Sequence, residues 1–169
     1  MKFLKKEQGQ SLIEVVVALS VASIVITSLL IVVINSLKNA QFAQTQVRAT
    51  KLASQAIEQI RAVRDRDGIV TFTSASGVTK FSDLWLINMN NACSPNPCAF
   101  KVNADLSLVQ TNQASDTEAL GDGLSREVVI SDSNDSHQTE KTVTVKVRWT
   151  DSSGTHESNL QTIMGKDGI

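Results

Sequence analysis

The chain has 169 residues, which leaves room for one soluble domain of ordinary size beside a membrane segment. Its formal net charge is −1, from 16 basic and 17 acidic side chains. Such a balanced charge provides no general attraction to nucleic acid or to an anionic membrane surface, so it excludes proteins that bind either one through a large basic excess.

The N-terminus carries a basic segment followed by a long apolar run. Lys2, Lys5 and Lys6 precede Gly9, and the 20 residues 15–34 include no charged residue, no proline and no glycine. A helix of that length spans roughly 30 Å, which is the thickness of the hydrocarbon core of a bilayer. The run therefore predicts a single membrane span. The lysines before it predict a cytoplasmic N-terminus and a C-terminal domain outside the cytoplasmic membrane.

An ordinary secretory signal is the alternative interpretation of this run. Its apolar region would be about 7–15 residues long and would end at a small-x-small cleavage site. Residues 18–20 could form such a site, but the apolar run continues for 14 residues beyond them. The length of the run favours a retained span.

Glu14 is a carboxylate at the mouth of the span. Deep in lipid, a charged side chain costs about 2.5–3.5 kcal/mol, and less near the interface. Two interpretations are open: Glu14 lies at the headgroup level and reaches water, or it meets a positive group inside an assembly. The α-amino group of Gln10 would be such a cation if the chain were cut after Gly9.

The order of a basic leader, Gly9, five residues ending in Glu14 and then 20 apolar residues resembles the N-terminus of type IV prepilins and pseudopilins. The resemblance implies that residues 1–9 are a class III leader, that prepilin peptidase cleaves between Gly9 and Gln10, and that the new amine of Gln10 is methylated. It also implies that Glu14 neutralises the N-terminus of a neighbouring subunit. The implied partners are the peptidase, other pilin subunits and the inner-membrane assembly platform, and the assembled protein would stand in an extracellular or periplasmic filament.

Residues 10–67 contain no glycine and no proline, which predicts one continuous helix. Residues 10–36 would form its transmembrane and assembly half, and residues 37–67 its amphipathic half. In the second half, apolar residues recur at steps of three and four, at Ala49, Leu52, Ala53, Ala56, Ile57, Ile60 and Val63. The alanines would let a sheet approach the helix closely. Gly68 is predicted to end the helix in the left-handed conformation.

A variable region is predicted over residues 68–124. It holds a short strand at residues 70–73 and an apolar cluster at residues 81–87, which is expected to fold over the helix or the sheet edge. Residues 99–102 and 106–109 predict a hairpin joined through residues 103–105.

Cys93 and Cys98 lie in this region and bracket the only two prolines of the chain. Proline restricts its own φ and the conformation of the residue before it, so the segment is stiff and bent. In an oxidising compartment this favours a structural disulfide. A metal pair is the alternative, but a zinc site needs four ligands and both histidines are distant in sequence. A redox pair would have two intervening residues instead of four.

The last segment, residues 125–169, predicts an antiparallel β-meander. Residues 142–149 alternate, with three valines and Trp149 on the inward face, and strands are predicted before them at 126–131 and after them at 156–164. The turn is expected at residues 151–154. The fold class is therefore α+β, a long N-terminal helix packed on a small antiparallel sheet, as in the type IV pilin-like fold. The VxVxVxW strand and the step from Gly154 to Leu160 resemble V-type minor pilins and I-type minor pseudopilins.

No arrangement of residues predicts catalysis, a cofactor or a metal site, so the chain is not expected to be an enzyme. Residues 132–136 offer oxygen ligands for weak Ca²⁺ binding, but they do not have the spacing of an EF-hand loop and are better explained as a solvated turn. The predicted function is that of a minor pilin or pseudopilin, a structural subunit of a type IV pilus or type II secretion-like filament. Nucleic acid is not an expected partner, although a DNA-uptake pilin remains a sub-hypothesis. The alternative function is a single-span, membrane-anchored extracellular binding protein outside any filament.

Overall fold

The computed structural model describes residues 8–73, 78–93, 97–111, 117–132 and 138–166. The chain divides into two compact units, Met1–Thr45 and Gln46–Ile169. Every described residue of the first unit is helical. The second unit contains the C-terminal part of the same helix together with a β-sheet.

Helix α1 extends over Gln8–Asp65, which confirms the continuous helix expected from the absence of glycine and proline. Its C-terminus is a Schellman motif: the N–H of Gly68 donates to the carbonyl of Val63 at 2.8 Å, and the N–H of Asp67 donates to the carbonyl of Arg64 at 3.0 Å. These bonds satisfy carbonyl groups that the last helical turn leaves without a partner.

The prediction that Gly68 takes the left-handed conformation is wrong. Asp67 takes it, with a φ of 50°, and aspartate is one of the few residues whose short polar side chain makes this conformation tolerable. Gly68 is instead limited by space. A Cβ atom there would lie 3.0 Å from Cγ1 of Val63 and 3.3 Å from the carbonyl oxygen of Leu106.

The strands are β1 Ile69–Thr71, β2 Val78–Lys80, β3 Cys98–Val102, β4 Leu108–Gln110, β5 Glu118–Gly121, β6 Leu124–Asp132, β7 Glu140–Asp151 and β8 Gly154–Gly165. Within the described residues they form one eight-stranded sheet in the order β2-β1-β4-β3-β6-β7-β8, with β5 pairing with β6 outside this order. The predicted meander is confirmed as β6, β7 and β8. The sheet is larger than those three strands, because β3 pairs with β6 and attaches the middle region to the meander.

The middle region also contains the predicted hairpin, formed by β3 and β4. The predicted short strand is β1, which pairs antiparallel with β2 and parallel with β4. The apolar cluster forms a 3₁₀ helix, Phe81–Leu86, followed by the short helix α2, Met89–Ala92. Phe81, Leu84 and Trp85 are buried there, whereas Leu86 is 74% exposed.

The core of the second unit lies between α1 and one face of the sheet. On α1, Ala49, Ala53 and Ala56 are completely buried, as expected for small residues that allow close approach. The inward valines of β7 are also completely buried, and Trp149 at the end of that strand is 5% exposed. The inward residues of β7 recur with a period of two, and the buried residues of α1 recur at steps of three and four. Both sets therefore belong to a single hydrophobic cluster.

Candidate processing site and membrane segment

The predicted cleavage position lies at the N-terminal end of α1. Gly9 and Gln10 belong to the helical backbone of Gln8–Asp65. Glu14 follows Gln10 by four residues, which places the two positions about one helical turn apart on the same face. The side chain of Glu14 is exposed. No described residue forms a hydrogen bond or an ion pair with its carboxylate.

The apolar run after Glu14 is not part of a protein core. Its large apolar side chains, between Leu12 and Leu37, are 51–67% exposed. This helix is long and apolar enough to cross a membrane, and none of the apolar stretch that meets this criterion is buried within the described chain. A core helix of a soluble protein would bury such a face. Because about 25 cal/mol is lost for each Å² of apolar surface left in water, the run requires lipid or neighbouring protein.

The hydroxyl groups within this run are compatible with an apolar environment. Ser20, Ser23, Thr27 and Ser28 each donate a hydrogen bond of 2.8 Å to the carbonyl oxygen four residues earlier. A polar group that is already satisfied inside its own helix needs no water, and this greatly reduces the cost of placing it in hydrocarbon. A carboxylate at Glu14 cannot form this kind of bond within its own helix, because it has no proton to donate to a backbone carbonyl.

Residues 4–30 match a family model, the prokaryotic N-terminal methylation motif. No curated protein and no solved structure matches the chain. The matched segment includes Gly9, Gln10 and Glu14 and most of the apolar run. The match supports a type IV prepilin-like protein that is processed at its N-terminus and anchored in a membrane by the apolar helix. The α+β architecture, a long helix packed on a largely antiparallel sheet, is consistent with the type IV pilin fold.

The two cysteines of the variable region are joined. Cys93 follows α2, Cys98 opens β3, and a disulfide connects them across Cα atoms 5.2 Å apart. Both residues are buried, and Cys98 belongs to the same hydrophobic cluster as the inward face of the sheet. The bond therefore attaches the segment containing α2 to the first residue of β3.

The loop considered for weak Ca²⁺ binding comprises residues 132–136, of which residues 133–136 lie outside the described residues. Its first residue, Asp132, is buried and already engaged. Oδ2 of Asp132 accepts a hydrogen bond of 2.7 Å from the backbone N–H of Met89, and Oδ1 pairs with Nζ of Lys141. This carboxylate is directed into the protein and is not available to a cation in the loop.

Sequence reasoning missed the buried pair of Asp132 and Lys141, whose side chains are 1% and 0% exposed. A signal was present. Positions 143, 145, 147 and 149 face inward, so the same period of two, extended back by two residues, places Lys141 on the core face. Burial lowers the pKa of the Lys141 ammonium, while its hydrogen bond to Asp132 opposes that shift.

The opposite face of the meander carries a charged network that is partly exposed. Arg148 on β7 contacts Glu157 on β8 at 2.7 Å and Glu127 on β6 at 3.2 Å. The hydrogen bond to Glu157 is the main cause of a raised pKa at Arg148. The network thus links all three strands of the meander on the side away from α1.

Proposed function

We propose that this chain is a minor pilin or pseudopilin, a structural subunit of a type IV pilus or a type II secretion-like filament. In this proposal residues 1–9 are the leader, and prepilin peptidase cleaves between Gly9 and Gln10 and methylates the new amine of Gln10. The subunit then resides in the cytoplasmic membrane, with its C-terminal domain outside, before it is incorporated into a filament.

One observation carries the proposal. Between Leu12 and Leu37, the helix that passes through the matched motif leaves its large apolar side chains exposed, and Glu14 lies near the start of this run. A filament of such helices would resolve both features, because neighbouring helices would cover the apolar surface and a neighbouring Gln10 amine would approach Glu14. A membrane alone covers only the apolar surface.

The second unit contains a feature that is typical of domains outside the cytoplasm. Its disulfide between Cys93 and Cys98 is favoured in an oxidising compartment. The alternating strand of the meander and the step from Gly154 to Leu160 support a place among V-type minor pilins or I-type minor pseudopilins. The partners in this proposal are prepilin peptidase, sister pilins and the inner-membrane assembly platform.

The N-terminus of the mature protein tests the proposal. Co-expression with a prepilin peptidase should produce a protein that begins at Gln10, with the mass of one added methyl group. Gly9→Val should block cleavage, because the valine side chain would occupy space that is open only when residue 9 has no side chain. Gln8→Ala, one residue earlier in the leader, is the matched control and should be cleaved normally.

Two results would count against the proposal. Maturation of Gly9→Val to an N-terminal Gln10 would show that another protease is responsible. Wild-type protein that stays uncleaved beside an active peptidase would instead favour the single-span binding protein, for which the spacing of Gly9 and Glu14 would have no function.

A further inference from the structure

Lys141 and Asp132 form a buried cross-strand pair in the second unit. They are direct partners in the register of β6 and β7. On the other side of Lys141, Met164 of β8 is its partner, and it is 2% exposed. Both charged side chains therefore lie on the core face of the meander, where an ion pair loses its hydration.

The hydrogen-bond partners around the pair are few and fixed. Nζ of Lys141 donates to the carbonyl oxygen of Ile87 at 2.8 Å and contacts Oδ1 of Asp132. Oδ2 of Asp132 accepts from the N–H of Met89 at 2.7 Å. An ammonium group carries three protons, but only these two acceptors are found for Nζ among the described residues. Within this described part of the chain, one buried donor is therefore left over if Lys141 is charged.

An amide between the same two side chains would leave none over. Its one N–H would donate to the carbonyl oxygen of Ile87. Its one carbonyl oxygen, Oδ2, would accept from the N–H of Met89. Burying an ion pair costs several kcal/mol for each ion before the attraction between them is counted, whereas a hydrogen-bonded amide carries no net charge. The surroundings of this pair fit a neutral amide better than they fit two ions.

The same surroundings favour the reacting form of Lys141. Desolvation lowers the pKa of Lys141 and so promotes the neutral amine, which is the nucleophile. Within the described residues no other ionisable side chain bonds to either group, and the pair itself holds the protons that the reaction needs. The N–H of Met89 is directed at the oxygen on which negative charge would develop during attack at Cγ.

We propose that Lys141 and Asp132 condense into an intramolecular isopeptide bond after the domain folds. A bond forms between Nζ and Cγ, and the bond between Cγ and Oδ1 breaks. Of the three protons on Nζ, one stays on the new amide and two leave with Oδ1 as water. The positive and negative charges cancel, and no oxidant, reductant or co-reactant is required.

The bond would join β6 to β7 covalently, and its amide would hold the segment between the 3₁₀ helix and α2 through Ile87 and Met89. The disulfide from Cys93 to Cys98 lies at the end of the same segment. Two covalent links would then fix the region where the middle of the chain meets the meander. Unlike the disulfide, the amide would survive a reducing environment.

Peptide mapping of the full chain, purified from membranes in detergent, tests the proposal. After reduction and alkylation, a protease that cleaves after glutamate separates residues 128–140, which contain Asp132, from residues 141–157, which contain Lys141. The proposal predicts one species with the summed mass of both peptides less one water. It also predicts that trypsin fails to cleave after Lys141. Lys141→Arg should abolish the linked species, and Lys146→Arg, on the opposite face of β7, should retain it.

Two results would overturn the proposal. The first is recovery of both peptides from the folded protein at their full masses, which would show an ordinary buried ion pair. The second is loss of water from residues 128–140 alone, which would show a cyclic imide at an aspartate. Because the wild-type chain decides between these results and the linked species, the test does not depend on whether a variant folds.

Discussion

Replacing Glu14 by leucine should leave the protein inserted, processed and folded, while greatly reducing its entry into filaments. The carboxylate of Glu14 has no partner among the described residues of its own chain, and its apolar neighbours Leu12 and Ile13 are 67% and 66% exposed. The substitution therefore removes no described contact within the chain. It also makes the span more apolar, which removes a cost of up to about 2.5–3.5 kcal/mol in lipid.

The expected loss of incorporation arises in the proposed filament, where the variant can no longer attract the Gln10 amine of a neighbouring subunit. Two opposite charges about 4 Å apart at an effective dielectric constant of about 20 attract by roughly 4 kcal/mol. Desolvation offsets part of this attraction, so we take about half of it as the net gain. Because about 1.4 kcal/mol corresponds to a factor of ten, Glu14→Leu should reduce incorporation at least tenfold. Glu14→Gln retains the shape without the charge and should share most of the defect.

The assay is the ratio of protein in sheared filaments to protein in the membrane pool, measured for the wild type, Glu14→Leu and Glu14→Gln. Ile13→Leu, an apolar exchange beside Glu14, is the control and should match the wild type. Equal ratios for all four proteins would refute the role of Glu14 in assembly, and the carboxylate would then be one that simply reaches water at the interface.

Three further predictions concern the stability of the second unit, measured by unfolding of the full chain in detergent. Replacing Cys93 and Cys98 together by serine should cost about 2 kcal/mol, because the unfolded chain loses a short closed loop. Ala53→Leu should cost about 1–3 kcal/mol by overpacking the contact between α1 and the sheet, whereas Ser54→Leu, on the exposed face, should change stability by less than about 0.5 kcal/mol. Asp67 accepts a hydrogen bond of 2.8 Å from the N–H at position 82, which lowers the pKa of its carboxyl, so its contribution is present at neutral pH and is lost as the pH falls through that lowered pKa. Asp67→Asn should remove this part of the acid sensitivity while retaining the acceptor and the tolerance for a positive φ.

Each of these stability predictions has a result that would contradict it. A reductant should destabilise the wild type but not the double serine variant, so equal sensitivity would deny the disulfide its role. Equal stability of Ala53→Leu and Ser54→Leu would show that α1 is not tightly packed there. An unchanged acid transition in Asp67→Asn would mean that other carboxyl groups control unfolding at low pH.

Several elements were predictable because their signals are local. The membrane run is recognisable from composition, since hydrocarbon imposes the same requirement on every residue. The helix over Gln8–Asp65 follows from the absence of residues that break it, and β7 follows from its alternation over eight positions. The candidate processing site was also predicted from the sequence, because Gly9, Gln10 and Glu14 lie within six positions of one another and require only a helix to relate them.

Other features depend on pairings between distant parts of the chain. Strands β1, β2 and β4 have three residues each, too few to establish a period, and only the sheet order reveals that β3 joins β6. The end of α1 also could not be predicted fully from local sequence, because the space around Gly68 is limited partly by Leu106, which is distant in sequence.

By itself, the sequence determined the N-terminal methylation motif, the long helix with its apolar run and the meander, since each depends on the chemistry of adjacent residues or on a short period. Only the tertiary structure decided the eight-stranded sheet and the pairing of Lys141 with Asp132 beneath the carbonyl of Ile87 and the N–H of Met89. The physical reason is that burial and hydrogen-bond partners are properties of a position in space. A lysine and an aspartate on neighbouring strands would be ordinary surface residues if the segment that contains Ile87 and Met89 did not cover them and exclude water.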